Sequence, residues 1–433
     1  MILHSYGFYR FRRGAMPVVC LALAALAVLL SLPQRTGAQT PGDFRSFIET
    51  LWPEARAKGV TRATFDAAFK GVTPDMKAPD LILPGKKDSD AKGQAEFTRT
   101  PEQYLNASYL QRLAGQGREL RVKHRRALEK IEREIGVPAP VVLAIWGRES
   151  AFSTQHSPPH YTIEALATQA YLGRRKELFR GELIWALKML QDKVRTRQTM
   201  RSSWAGAMGL TQFMPSEYYS LAYDLDGDGR KDIWGSVPDA LASAANQLRG
   251  RGWIPGLPWG FEVRLPAGAS CALEGPPHAR TVAEWAKLGV MRVRGQAFPK
   301  QALNAQAFIL TPGGAYGPAF LALENFMVIK RYNMSDLYAL FVGDLSDRIA
   351  GAGTFDAPWG KVRQLSARGI EEIQTRLQAK GYDISKIDGK AGMNTRALIG
   401  AYQRANRLKV DCWPSEALLG HLRSAEAGRL GAR

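Results

Sequence analysis

Apolar residues recur at helical spacing through the middle of the chain, and this repetition limits the fold more than any other feature. Leu128, Ile131 and Ile135 share one face amid dense charge and stop at Gly136, the pattern of an amphipathic helix with its stop signal. Pro138 opens a second helix that runs to Glu149, and Leu183, Leu187, Leu190 and Val194 mark a third. Asp43 to about Phe69 reads as short helices, and Leu81 to Thr100, with Pro84-Gly85-Lys86-Lys87-Asp88, as an exposed loop. Over about 255–310 the text becomes rich in Gly and Pro, and Phe261-Glu262-Val263-Arg264-Leu265 alternates as strands do. A small β-containing insertion is expected there. Helical text returns at about Gly317 and continues through Phe320, Leu323 and Met327 to Leu345, before a linker at 351–361 that contains Gly353 and Pro358. From 362 to 425 the pattern is that of a small domain of three helices. Ile370, Ile373 and Leu377 mark the first, Thr395 to Arg407 forms the second, and a short third follows Pro414. The expected class is mainly α, and 433 residues allow two or three such units.

The first 39 residues read as a secretory signal peptide. Arg10, Arg12 and Arg13 precede an apolar run from Val18 to Leu32, and Gly37 and Ala38 stand before Gln39. That run is shorter than the roughly 20 residues of a spanning helix, so cleavage and release to the periplasm are expected, not membrane anchoring. Cys20 lies inside the run and lacks the setting of a lipid-attachment site. The segment carries four Arg and no acid, which leaves +15 of the chain's net charge of +19. Such a protein seeks anionic partners. Export points to cell-wall polymers and away from nucleic acid, for which neither a basic aromatic platform nor a fold signature is visible. The remaining cysteines, Cys271 and Cys412, could pair in an oxidising compartment, but their distance in sequence favours two unrelated buried thiols.

Glu149 is the sharpest position in the chain. Val141, Ile145 and Glu149 stand at i, i+4 and i+8, so a carboxyl continues an apolar stripe and ends it near a helix C-terminus. Partial desolvation and the helix dipole both favour its neutral form, which suits a general acid. The same pattern fits a Glu that ends the stripe at the surface. The run Ala205 to Gly209 allows close backbone approach to a ligand or tight packing, and Gln212 then offers a donor and an acceptor.

An acidic loop, Asp224-Leu225-Asp226-Gly227-Asp228-Gly229, satisfies the first half of the EF-hand template. Position twelve is Gly235, so a closing carboxylate must come from further on, with Asp232 and Asp239 as candidates. The ligand set is expected to be Asp224, Asp226, Asp228, Arg230 at position seven, and Asp239, around a structural calcium. A plain Asx-rich turn is the alternative.

Ala144-Ile145-Trp146-Gly147-Arg148-Glu149-Ser150-Ala151-Phe152 resembles the acid-bearing helix of the membrane-bound lytic murein transglycosylase B family. Ser203-Trp204-Ala205-Gly206-Ala207-Met208-Gly209-Leu210-Thr211-Gln212-Phe213-Met214-Pro215 is similar to its second signature, with Arg174-Arg175 at the paired-arginine position between them. Gly252 to Phe261, Thr311-Pro312-Gly313 and Arg331-Tyr332-Asn333 match in kind and order, and the resemblance covers residues 41–350. It implies a lysozyme-like catalytic core that cuts the β-1,4 bond between N-acetylmuramic acid and N-acetylglucosamine without water. The muramyl 6-hydroxyl attacks its own anomeric carbon and leaves a 1,6-anhydromuramyl end. Glu149 would serve as acid and then as base, with no cofactor required for the chemistry. Ordinary glycosidases need a second carboxylate, and the available Glu164 and Asp192 read as surface groups. Ser203, Gln212, Phe213, Arg174, Arg175, Asn333 and Tyr338 are the substrate-binding positions that the resemblance implies. Where relatives place Tyr beside an Asn after the acidic loop, this chain has Asn246-Gln247, which puts aromatic stacking there in doubt.

The C-terminal segment resembles the peptidoglycan-binding type 1 family through Ile373-Gln374-Thr375-Arg376-Leu377, Gly381-Tyr382, Asp388-Gly389-Lys390-Ala391-Gly392, Thr395-Arg396 and Tyr402-Gln403-Arg404. As a separate module it would tether the enzyme to its substrate. The expected partners are peptidoglycan glycan strands and, unidentified, proteins of wall synthesis or remodelling. A water-using muramidase and a non-catalytic wall-binding scaffold are the rival functions.

Overall fold

Residues 41–83, 95–153 and 158–430 are described by the computed structural model. The signal segment and most of the loop expected at 81–100 lie outside the described residues. Three short helices come first: α1 (Pro41–Glu49), α2 (Trp52–Ala57) and α3 (Arg62–Phe69), the last capped by Thr61. After α4 (Ala95–Thr98), a reciprocal Thr100/Gln103 capping box starts α5 (Pro101–Tyr104). Asn106 then caps α6 (Ala107–Lys123). Gly136, at φ +81°, ends α7 (Arg125–Ile135), and Pro138 stands at the N-cap of α8 (Ala139–Ser150). Residues Val141 to Gly147 of α8 are all buried, so this is a core helix and not a surface one with a single wet face.

A two-stranded ladder joins β1 (His160–Tyr161) to β2 (Arg201–Ser202), and between them run α9 (Thr162–Leu172) and α10 (Lys176–Gln191). Phe44 of α1, Leu51 at the N-cap of α2 and Phe65 of α3 are buried in one core with Leu166, Phe179 and Leu183 of α9 and α10. Two further helices, α11 (Pro215–Leu221) and α12 (Val237–Gly250), follow the second signature and the acidic loop.

The insertion contains β3 (Gly260–Arg264), β4 (Arg280–Thr281), α13 (Val282–Lys287), β5 (Met291–Arg292), β6 (Gln306–Leu310) and β7 (Ala319–Leu323). Its antiparallel sheet has the order β4-β6-β7-β3-β5. This corrects the helix expected from Gly317. Phe320, Leu321, Ala322 and Leu323 are a central strand with no exposed side chain, and a strand buried on both faces lacks the alternation that distinguishes it from a core helix. Only at Glu324 does helix resume, with α14 (Glu324–Asn333) and then α15 (Asp336–Ile349), which packs along α8. The Gly147 position permits this approach, since a Cβ there would lie 2.6 Å from Phe152 Cζ and 3.1 Å from Leu345 Cδ2.

Three C-terminal helices, α16 (Ala367–Ala379), α17 (Met393–Ala405) and α18 (Glu416–Leu430), enclose Ile370, Ile373, Ile399, Tyr402 and Leu422. The third is a full-length helix and not the short one expected. The stretch before them is fastened down: Trp359 lies against Gly313 and Gly317, and the amides of Asp356 and Ala357 donate to the Glu262 carboxylate. Cys271 and Cys412 form a disulfide with Cα atoms 6.1 Å apart, which corrects the reading of two unrelated thiols. The fold brings them together by packing α17 on the turn Cys271–Leu273, where Gly400 leaves room for the Cys412 sulfur. Among the described residues, no helix is long and apolar enough to cross a membrane.

Candidate active site

Glu149 sits half-buried in the last turn of α8. The chain leaves this helix through two successive residues in the left-handed region, Ala151 at φ +50° and Phe152 at φ +61°. Neither is glycine, so the conformation is held by its surroundings. The Phe152 ring packs edge-on against Trp146, and Ser150 Oγ donates to the Leu210 carbonyl at 2.9 Å. The acid is thus fixed to the second signature by the residue next to it.

From α15, the fully buried Tyr338 donates its phenol to Glu149 Oε1 at 2.5 Å. Burial, and then the neighbouring Glu149 carboxylate, push the Tyr338 phenol well above its ordinary value. It therefore stays protonated and remains a donor. Tyr332, at the end of α14, stacks on Tyr338 with ring centres 6.1 Å apart, and its hydroxyl donates to the Thr211 carbonyl at 2.7 Å. The same two causes raise the Tyr332 phenol well above the usual range. The Arg148 guanidinium lies 5.3 Å from the Tyr104 ring centre and 5.6 Å from that of Tyr338, and it donates to Tyr104 Oη. Arg251 covers Tyr332 at 5.1 Å and pairs with Glu217 at 2.5 Å. Cations above aromatic faces of this kind are attracted to the ring electrons and add to the packing around Glu149.

The second signature folds as a tight loop. Ser203 Oγ accepts the amides of Ala205 and Ala207, and Met208 and Phe213 exchange backbone hydrogen bonds. Two glycines are required here. Gly206, at φ +86°, presses on Leu166, and Gly209, at φ +73°, leaves no space for a Cβ beside the Ile233 carbonyl. Gln212 adopts φ +58° and donates its side-chain amide to the Gly209 carbonyl. Ser203 and Gln212 are partly exposed on this loop. Phe213, expected to line the cleft, is instead fully buried with Ala222 and Ile233 and supports the loop from below.

Tyr338 and Glu149 meet, and Tyr332 links them to the loop of Gln212 through Thr211. Asn333, beside Tyr332, is partly exposed at the end of α14. Arg174 and Arg175 lie at the exposed turn between α9 and α10, where both face Asp80, at 3.1 and 3.6 Å. Asp192 accepts from Lys188 and from the Tyr219 hydroxyl at the end of α10. The Asn246 amide donates to the Leu221 carbonyl and its oxygen accepts from Arg249, while Gln247 beside it is buried. Sequence reasoning missed Tyr332 as a site residue, although it stands inside the Arg331-Tyr332-Asn333 motif. It also passed over Arg148, next to the acid.

In the acidic loop, one carboxylate oxygen from each of Asp224, Asp226 and Asp239 falls within 4.8 Å of the others. Asp239, buried at the start of α12, closes the group. Asp232 is turned to Arg195 and to the amides of Trp234 and Gly235. Asp228 lies outside the group and accepts the Arg230 amide. Three convergent hard oxygens suit a divalent cation such as calcium.

The family model described as a transglycosylase SLT domain matches residues 43–347, and that of a putative peptidoglycan binding domain matches residues 366–422. Membrane-bound lytic murein transglycosylase B of Escherichia coli (strain K12) is 32% identical over 241 residues, 52% of this chain. The matched region spans 60% of the length of that curated relative. The structure of SltB3 from Pseudomonas aeruginosa in complex with NAG-NAM-pentapeptide is 40% identical, with 88% of this chain and 99% of that one covered at a TM-score of 0.78. Soluble lytic transglycosylase SltB1 from the same organism is 26% identical over 70% of this chain and 97% of its own, at a TM-score of 0.57. The chain belongs to the SLT transglycosylase family and carries a peptidoglycan-binding domain over residues 366–422.

Proposed function

We propose that this protein is an exported lytic transglycosylase that cuts the glycan strands of peptidoglycan, with Glu149 as its single acid and base. The observation that carries the reading is the Glu149 carboxyl at the end of a buried helix, held by the phenol of Tyr338, in a chain so similar to a protein solved with NAG-NAM-pentapeptide. In the first step Glu149 protonates the oxygen of the leaving N-acetylglucosamine. In the second, the carboxylate takes the proton of the muramyl 6-hydroxyl as that oxygen attacks the anomeric carbon, which closes the 1,6-anhydro ring and returns Glu149 to its acid form. Tyr338 orients the carboxyl through both steps and does not itself give up a proton, since its phenol is held protonated.

Ser203, Gln212 and Asn333 are assigned to sugar contacts. Arg174 and Arg175, on the exposed turn, are assigned to the peptide or the sugar beyond. Calcium in the acidic loop would be held by Asp224, Asp226 and Asp239 and would brace the loop between α11 and α12, with no part in bond cleavage. The signal-like residues 1–39 support export to the periplasm.

The test is mass spectrometry of muropeptides released from purified sacculi by the protein. Anhydromuramyl ends are expected. Reducing ends would make it a water-using muramidase, and binding without release would make it a scaffold.

A further inference from the structure

The C-terminal domain meets the catalytic part around one buried guanidinium. Arg396 of α17 is 3% exposed. It donates to Glu274 of the β insertion through Nε at 3.0 Å and Nη2 at 2.5 Å, and Nη2 also lies 3.1 Å from Asp336 Oδ2. Asp336 is the first residue of α15, and the same Oδ2 accepts the amide of Met393, the first residue of α17, at 2.9 Å. Its other oxygen pairs with Lys330 of α14 at 2.7 Å. One carboxylate therefore sits at the start of two helices from different domains, where a negative charge is favoured at both, and ties a third helix to them.

These are the helices that carry the tyrosines behind Glu149. Asp336 stands two residues before Tyr338, whose amide is capped by Ser335 Oγ and whose phenol reaches the acid. Lys330 stands two residues before Tyr332, which stacks on Tyr338. Removal of the guanidinium would leave Glu274 and Asp336 buried without their shared cation, and such groups move or draw in water to recover solvation. The start of α15 is where that movement would fall.

We propose that Arg396 of the C-terminal domain is a positioning residue for the reaction, acting through Asp336 on the start of α15 to hold Tyr338 against Glu149. The inference rests on Glu149 being the acid. On this reading the domain is a working part of the catalytic unit as well as a tether, and its contribution persists on substrates too short to need a tether.

The experiment uses the full-length mature protein with the changes R396K, R396M, D336N, Y338F and E149Q, each checked for folding by circular dichroism. Rates are measured on a soluble NAG-NAM tetrasaccharide, and binding to sacculi is measured by sedimentation. R396K, which keeps a cation but not the two-pronged reach, is expected to lower kcat about tenfold, the effect of roughly 1.4 kcal/mol in a barrier. Its KM and sacculus binding should stay near native, and its pH–kcat profile should move in the same direction as that of Y338F. R396M and D336N should lose more. Should R396M not fold, R396K and D336N decide the matter. A folded R396K with native kcat and pH profile, or one that loses only sacculus binding, overturns the proposal. An active E149Q would instead overturn the assignment of the acid.

Discussion

Tyr338 and Glu149 are 189 residues apart in sequence, and the phenol of the first donates to the carboxyl of the second at 2.5 Å. The contact exists because α8 and α15 lie side by side. It gives the Glu149 carboxyl a fully buried partner that remains protonated. Replacement of Tyr338 by Phe removes a hydrogen bond to an ionisable group, which is worth about 1.5–3 kcal/mol. A loss of roughly 10- to 100-fold in kcat is expected, with KM little changed, in steady-state assays on a soluble glycan. A Y338F enzyme with native kcat would remove the tyrosine from the mechanism.

Gly147 of α8 packs directly against Leu345 of α15, where a Cβ would lie 3.1 Å from Leu345 Cδ2. A methyl group there would sit 2.6 Å from the Phe152 ring, and Phe152 is itself held in a left-handed conformation just after the acid. Gly147→Ala is expected to destabilise the fold by about 1–3 kcal/mol and to lower activity more than stability alone accounts for. Urea unfolding beside a rate measurement at saturating substrate checks both parts. Equal stability and rate would mean that Phe152 swings aside at no cost.

How much of this was legible in the sequence depended on range. The stripe Val141, Ile145, Glu149 and the stop at Gly136 are local, and they placed α8, with Glu149 in its last turn, correctly. The strand Ala319–Leu323 was hidden because its residues are apolar on both faces. The disulfide Cys271–Cys412 joins residues 141 apart, and only the packing of α17 on the insertion brings them within reach. Phe213 stands between two partly exposed residues, Gln212 and Met214, yet after the left-handed turn at Gln212 its ring is buried with Ala222 and Ile233. Asp239 was one of two candidates for closing the acidic loop, and the choice over Asp232 was made by Arg195, a cation 37 residues away from Asp232.

Asp347 gives the stability a pH dependence. Burial, and then the charge of Asp344, raise its carboxyl to about 7, against the opposing effect of the Trp259 indole N–H that donates to it at 3.0 Å. Below about pH 4 the group is neutral in both the folded and the unfolded chain. As the pH rises, the unfolded chain ionises first, so this group's contribution to stability declines until about pH 7 and is flat above it. Asp347→Asn should remove that part of the slope in thermal unfolding between pH 4 and pH 7. An unchanged slope would show that Asp347 ionises freely in the folded state.

Calcium should stabilise the protein. Addition of millimolar Ca²⁺ to chelator-treated protein is expected to raise its Tm, because a ligand bound only by the folded chain shifts the equilibrium toward it. Asp239→Asn, which weakens the buried closing carboxylate, should abolish the rise while leaving the reaction itself intact. No shift in the native protein would leave the loop as a network of Asx turns.

The most direct measurement compares the native protein with Glu149→Gln on purified sacculi, with anhydromuramyl ends counted by mass spectrometry. The variant is expected to fold, to bind sacculi as the native protein does, and to release no anhydromuramyl products. Release of such products by the folded variant at the native rate would contradict Glu149 as the acid and base.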